Sequence, residues 1–300
     1  VDVDPMRIIV TPGASGALLL ALGVLLSPDD EVVLADPGYP CNRHFVRLLE
    51  GRPVSIPVGP ATHNQLNAAL IGEHWRSRTV AALVASPANP TGTLVNQAEM
   101  AEIAKAVKAR DGKLIVDEIY HGLTYGEDAV TALAVAPDAF VVNSFSKYFQ
   151  MTGWRLGWLV APENYVHEAE KLAQNIFLAP STPAQYAALA AFQPDTLHIL
   201  EARRTEFEAR RNFLLPALRE LGFNIPVTPA GAFYLYADCS AFTNDSFKFA
   251  KDLLEQAYVA ITPGVDFGGH APEKHVRFAY TTDIAKLQDA VERIRKFVRR

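Results

Sequence analysis

The sequence is poor in the residues that staple or metallate a protein. Its 300 residues include two cysteines, Cys41 and Cys239, which stand far apart and outside any C-x-x-C pair. That spacing excludes a disulfide framework and a thiolate zinc site, and a reducing cytoplasm is the expected compartment. The eight histidines show no H-x-x-x-H or similar ligand spacing, so no metal is expected. The most apolar run, ALLLALGVLL at 17–26, is far shorter than the roughly 20 residues of a membrane-spanning helix. It reads instead as a helix buried on all sides. The opening VDVDPMRIIV has no charged n-region or cleavage site, so no secretory signal is read there. Positive charge is scarce too: a net charge of −5 with no basic stripe argues against nucleic acid and membrane surfaces as partners.

What is present is alternation. Seven short β-branched runs recur, RIIVTPG, EVVLADPG, PVSIPVG, VAALVASPANP, KLIVDEIY, FVVNSFS and LGWLVAP, each closing on small or turn-forming residues. Several are almost continuously apolar, as strands covered on both faces are. Helical patterns lie between some of them. In NQAEMAEIAKAVKAR, Met100, Ile103, Ala104 and Val107 follow the i, i+3, i+4, i+7 rule, with Asn96 as N-cap and Glu99 three residues on. The expected fold is α/β, a mostly parallel seven-stranded sheet with helices on both faces. Past residue 195 the texture changes to a long charged amphipathic helix, with Pro216 expected to kink or break it. Two strand-like runs, GAFYLYADCS and HVRFAYTT, and two further helices follow. The expected domains are a large α/β unit over 1–202 and a smaller C-terminal α+β unit over 203–300.

In open α/β sheets, ligands bind outside the carboxyl ends of the strands. There, TPGASGAL keeps side chains small around Ala14 and Ser15, as a tight turn or as an anion site at a helix start. DPGYP puts Tyr39 on a turn, for packing or for stacking on a ligand, and SPANPTGT offers Asn89 in a loop that Ser-Pro and Asn-Pro already explain. KLIVDEIY ends in Asp117, with Tyr120 beyond it. A carboxylate there needs a cation, either an arginine of the fold or a protonated ligand nitrogen. Finally, SFSKYFQMTGWRLGW at 144–158 carries Lys147 between hydroxyls and aromatics, with Arg155 after it. Together these groups suit a ligand with a phosphate, an aromatic ring bearing a basic nitrogen, and an aldehyde.

The set resembles the class I/II aminotransferases, pyridoxal-phosphate-dependent enzymes of fold type I related to aspartate aminotransferase. TPGASGAL, NPTG (89–92), DEIY (117–120), SFSK (144–147), MTGWRLGW (151–158) and VRFAYTT (276–282) stand in the family's order over nearly the whole chain. The resemblance implies pyridoxal 5'-phosphate as cofactor and Lys147 as the Schiff-base lysine and proton shuttle, its pKa lowered by burial beside cations. It further implies that Asp117 holds the pyridine nitrogen protonated, that Tyr120 and Asn89 bond the ring oxygen, and that Tyr39 stacks on the ring. Ala14, Ser15, Ser144 and Arg155 would cup the phosphate, and Arg277, with Asn89, would take the substrate carboxylate. On residues alone, Arg155 and Arg277 read more readily as partners in surface or interdomain salt bridges.

The implied activity is transfer of an amino group between an L-amino acid and a 2-oxo acid in a homodimer with shared active sites. Two alternatives share much of this pattern: a C–S β-lyase, which uses the same residues around the cofactor, and the aminotransferase-like ligand-binding domain of a regulator. The family's N-terminal arm is not in this chain. The cradle has Ala14 where many relatives carry glycine or serine, a mild change for a backbone contact. IFLAPSTPAQ at 176–185 lacks the arginine that some dicarboxylate-specific relatives carry, which leans towards neutral or aromatic substrates.

Overall fold

The alternating runs fold into one open sheet. A computed structural model describes residues 1–299; Arg300, the last residue of the expected smaller domain, lies outside the described residues. β1 (Ile8–Thr11) leads into α1 (Gly13–Gly23), β2 (Glu31–Asp36) into α2 (Pro40–Leu48), and β3 (Arg52–Pro57) into α3 (Ala68–His74). β4 (Thr79–Ala85) leads into α4 (Gln97–Lys108), and β5 (Lys113–Asp117), β6 (Phe140–Ser144) and β7 (Gly157–Val160) complete the set, with α5 (Val166–Ile176) after it. The strand order is β1-β7-β6-β5-β4-β2-β3. Pairing from β3 through β6 is parallel, and β7 alone runs antiparallel to its neighbours β1 and β6. The seven apolar runs are the seven strands, and the sheet is the mostly parallel one expected.

Covering both faces explains why the runs are apolar without alternation. Val33, Ala82, Val116 and Val141 pack on one side with Ile71 of α3 and with Met100, Ile103 and Val107 of α4. Val32, Leu34, Leu83, Ile115 and Val142 pack on the other with Leu18, Leu20 and Leu22 of α1 and Ala169 of α5. α4 starts as read: the Glu99 N–H donates to Asn96 Oδ1 at 2.9 Å, and the Asn96 N–H donates to Glu99 Oε2 at 3.1 Å. α1 begins four residues before the greasy run and buries eight of its 11 residues.

α6 (Thr182–Ala191) and α7 (Pro194–Leu221) lead to β8 (Tyr234–Asp238), α8 (Ser246–Ala257), β9 (Thr262–Pro263), β10 (His275–Ala279) and α9 (Ile284–Val298). The three strands form an antiparallel sheet in the order β8-β10-β9. It shares a core with Leu214, Leu215 and Leu218 of α7, Leu253 of α8 and Ile294 of α9. Pro216 does not break α7, which runs unbroken for 28 residues. Proline inside a helix costs about 3 kcal/mol, and the burial of Leu214, Leu215 and Leu218 around it offsets that. The helix ends at Gly222, whose φ of 106° suits a residue without Cβ. Residue 202, the expected border, lies inside α7, so a helix joins the two sheets' units where a linker was absent from the sequence. Among the described residues, no helix is long and apolar enough to cross a membrane.

Leu20 and Leu22 are fully buried (0% exposed) in α1. Leu20→Ala or Leu22→Ala should each cost about 2–5 kcal/mol, whereas Leu19→Ala, at a half-buried position, should cost clearly less. Urea unfolding midpoints at unchanged m-value measure the difference.

Candidate active site

The ends of β1, β2, β4, β5 and β6 open on one cavity of about 310 Å³, within the range of small-molecule sites. Ala14, Ser15, Tyr39, Asn89, Asp117, Tyr120, Lys147, Arg155 and Arg277 all line it. Nine of the ten residues expected from the sequence are thus brought together.

On the β1 side, Gly13 turns the chain into α1 at a φ of 75°, and no side chain caps the helix start. The first N–H groups of a helix lack partners within it and attract anions. Arg155 sits against this turn. A Cβ on Gly13 would lie 2.8 Å from Arg155 Nη2, so a larger residue would push the guanidinium away. Arg155 is itself left-handed (φ 53°) and anchored by an Nη1 bond to the Thr152 carbonyl at 2.9 Å.

At the floor, β5 delivers Asp117, 5% exposed, whose Oδ1 accepts the Ile119 N–H at 3.1 Å. Burial pushes this carboxyl up to about 6, against the lowering pull of that N–H and of Lys147. Lys147 follows β6 in a turn, its Nζ 5.6 Å from the centre of the Tyr120 ring and 5.5 Å from that of Phe233. Burial lowers its pKa; Asp117 opposes this, and Arg277 and Arg155 reinforce it. The expected effect of a dry site beside cations on the amine is therefore found, with burial the largest cause.

The far wall comes from the C-terminal unit. Arg277, on β10, donates from Nη1 to Asn89 Oδ1 at 2.9 Å and from Nη2 to Thr262 Oγ1 at 3.2 Å. Its guanidinium lies 4.2 Å from the Tyr234 ring centre and 4.8 Å from that of Phe267. Its buried Nε has no partner. Two rings and an amide thus hold a fork that no carboxylate of the chain occupies among the described ion pairs.

Ser144 is the exception. It is 1% exposed, its Oγ accepts the Ser146 N–H at 2.8 Å, and it does not line the cavity, whereas Ser146 does. The serine hydroxyl at the end of β6 is spent on shaping the turn. Tyr234 and Thr152 are lining residues that sequence reasoning missed. Tyr234 sits in an apolar, aromatic strand run, and nothing in that run marks it apart from its neighbours.

The raised Asp117 carboxyl has a consequence for stability. Its ordinary value is 3.8 and its folded value about 6. Folding therefore tightens its proton. Its favourable contribution is full below the unfolded value and is lost as pH rises through about 6. The loss is on the order of 3 kcal/mol at 1.36 kcal/mol per unit. Asp117→Asn should abolish this decline and make the ligand-free variant more stable than the wild type above about pH 7, as urea unfolding at several pH values would show. Glu118, which burial raises to about 7, contributes a separate decline that the variant leaves in place.

Comparison with known proteins agrees with this geometry. Residues 1–294 match the family model described as aminotransferase class I and II. The chain is 39% identical over 296 residues to the valine–pyruvate aminotransferase of Mycobacterium tuberculosis, covering 98% of this chain and 76% of that protein. It is 34% identical to an aspartate aminotransferase of Bacillus subtilis, covering 99% and 77%. A crystal structure of an aminotransferase from Mycobacterium tuberculosis superposes with a TM-score of 0.97 at 38% identity, over all of this chain and 78% of that one. The chain whose strand ends enclose this cavity belongs to the class I and II aminotransferases.

Proposed function

We propose that the cavity binds pyridoxal 5'-phosphate, with Lys147 as the amine that condenses with its aldehyde. The enzyme would move an amino group between an L-amino acid and a 2-oxo acid. The observation that carries this reading is the pair of opposite charges lining one cavity, Asp117 on its floor and Lys147 above, with no ion pair between them among the described residues. A buried acid that loss of hydration raises to about 6 is a fitting partner for a protonated ring nitrogen. The small-residue turn under Arg155 fits a phosphate: a side chain at Gly13 would fill the space the guanidinium takes.

When bound, the cofactor supplies an electron sink for negative charge developing at the substrate Cα. The chain's residues do the rest. Asp117 keeps the ring nitrogen charged. Tyr39 covers one ring face, and the Tyr120 hydroxyl and the Asn89 amide donate to the ring oxygen. The N–H groups of Ala14 and Ser15 and the fork of Arg155 hold the phosphate, while Ser144 supports that cup through Ser146. Arg277 grips the substrate carboxylate bidentately, a geometry lysine does not offer. Lys147 Nζ, whose proton affinity burial lowers, would take the proton from Cα and return it to the carbon two bonds away.

We read 1–202 as the cofactor-binding unit and 203–300 as the smaller unit that carries Arg277. The exposed apolar side chains Leu178, Tyr186, Leu189 and Phe192, 53–85% accessible, support a second copy covering this region. Light scattering of the pure protein should give twice the mass of one chain; a single-chain mass under assay conditions would remove the dimer. Free thiols at Cys41 and Cys239 suit the cytoplasm.

The decisive experiment incubates the protein with cofactor, a panel of amino donors and 2-oxoglutarate. The expected product is glutamate, with neutral or aromatic donors favoured. Lys147→Ala should lose at least about a thousandfold in turnover together with the visible absorbance of the bound cofactor. Pyruvate released without 2-oxoglutarate would instead identify a β-lyase.

A further inference from the structure

Tyr234 is the one tyrosine of the cavity to which the mechanism above gives no task. It opens β8 and pairs with Ala279 of β10, two positions beyond Arg277. It is 6% exposed, and its hydroxyl lies 3.0 Å from that of Tyr120, itself 3% exposed. The two rings meet edge to face, with centres 5.8 Å apart at 83°. The Arg277 guanidinium lies over the Tyr234 ring.

Each phenol owns one proton. In the ligand-free protein either hydroxyl can donate across this contact. An oxyanion beside Tyr120 removes this freedom. Tyr120 can donate to only one acceptor, so once it turns to the oxyanion the 3.0 Å contact is kept only if Tyr234 donates to Tyr120. Linked donors polarise one another and strengthen the terminal bond. The charge on Arg277 acts in the same direction, making both phenols better donors. The other ionisable groups facing the pair are Asp117 from β5, Lys147 from the turn after β6, Tyr39 from the β2–α2 turn and Tyr280 beyond β10.

We propose that Tyr234 is a positioning residue for transamination, whose hydroxyl orders the single proton of Tyr120 towards the cofactor's ring oxygen. The proposal rests on the reading of the cavity as a pyridoxal-phosphate site. A stronger bond to the ring oxygen keeps negative charge there and lowers the proton affinity of the neighbouring Lys147 nitrogen once it is joined to the cofactor. Tyr234 therefore sets the pH at which that nitrogen titrates, without touching either group.

The test is the pH titration of the holoenzyme's visible absorbance. Tyr234→Phe keeps the ring over Arg277 and removes only the hydroxyl. It should raise the midpoint by about half a pH unit, roughly a threefold change in proton affinity. Tyr120→Phe should raise it further, and adding Tyr234→Phe to Tyr120→Phe should change nothing more, because Tyr234 acts only through Tyr120. Site-specific 3-fluorotyrosine at position 234, a stronger donor of nearly the same shape, should lower the midpoint; this keeps the test decisive even if Tyr234→Phe folds poorly. Equal midpoints in wild type and Tyr234→Phe, or the same shift in both backgrounds, overturn the proposal while leaving the cofactor assignment intact. A wild-type protein that never develops visible absorbance with added cofactor overturns both.

Discussion

Two opposite charges lie in one cavity and are kept from pairing; the rest of the site depends on that. Asp117 and Lys147 both lose hydration, and each is driven towards its neutral form. Had they met directly, the attraction would have fixed the lysine as an ammonium ion and left no nucleophile. The sheet prevents this. Asp117 ends β5 in register with Val142 of β6, so Lys147 emerges five residues past that pairing, in the turn beyond the strand end. Strand register thus leaves a gap between acid and amine, and the cavity is that gap.

Closing the gap from above falls to the second sheet. Arg277 and Tyr234 stand on adjacent strands β10 and β8, and their contacts run to Asn89 and Tyr120, both after strands of the large sheet. A second tie lies at the rim, where the Gly269 N–H donates to Asp36 Oδ2 at 2.9 Å. Gly268 beside it tolerates no side chain, since a Cβ there would fall 1.7 Å from Asp36 Oδ1. Arg277, the proposed carboxylate clamp, is therefore held by both units at once. Any shift of one unit against the other would move Arg277 relative to Lys147, and under the proposed roles it would couple substrate binding to the geometry of proton transfer.

The seven strands were legible because a sheet buried on both faces needs apolar residues at consecutive positions, and few other structures do. The residues after them were legible because strand ends are where backbone and small side chains face a ligand. Ser144 shows the limit of that logic. Its place in SFSK suggests a hydroxyl aimed at the cup, yet its Oγ takes the Ser146 N–H and shapes the turn. Pro216 shows another: a local rule against proline in helices yields to three buried leucines around it.

Composition and order alone determined the α/β class, the absence of a spanning helix, and the identity of nearly every chemical group in the cavity. These follow from local constraints: apolar runs, turn residues, and the cost of burying a charge. Only the tertiary structure decided which hydroxyls face the cavity, how Asn89 and Arg277 engage, and that Tyr234 stands behind Tyr120 across more than a hundred residues of chain. Such contacts join elements distant in sequence, and no periodicity or spacing encodes them; the packing of one sheet against the other does.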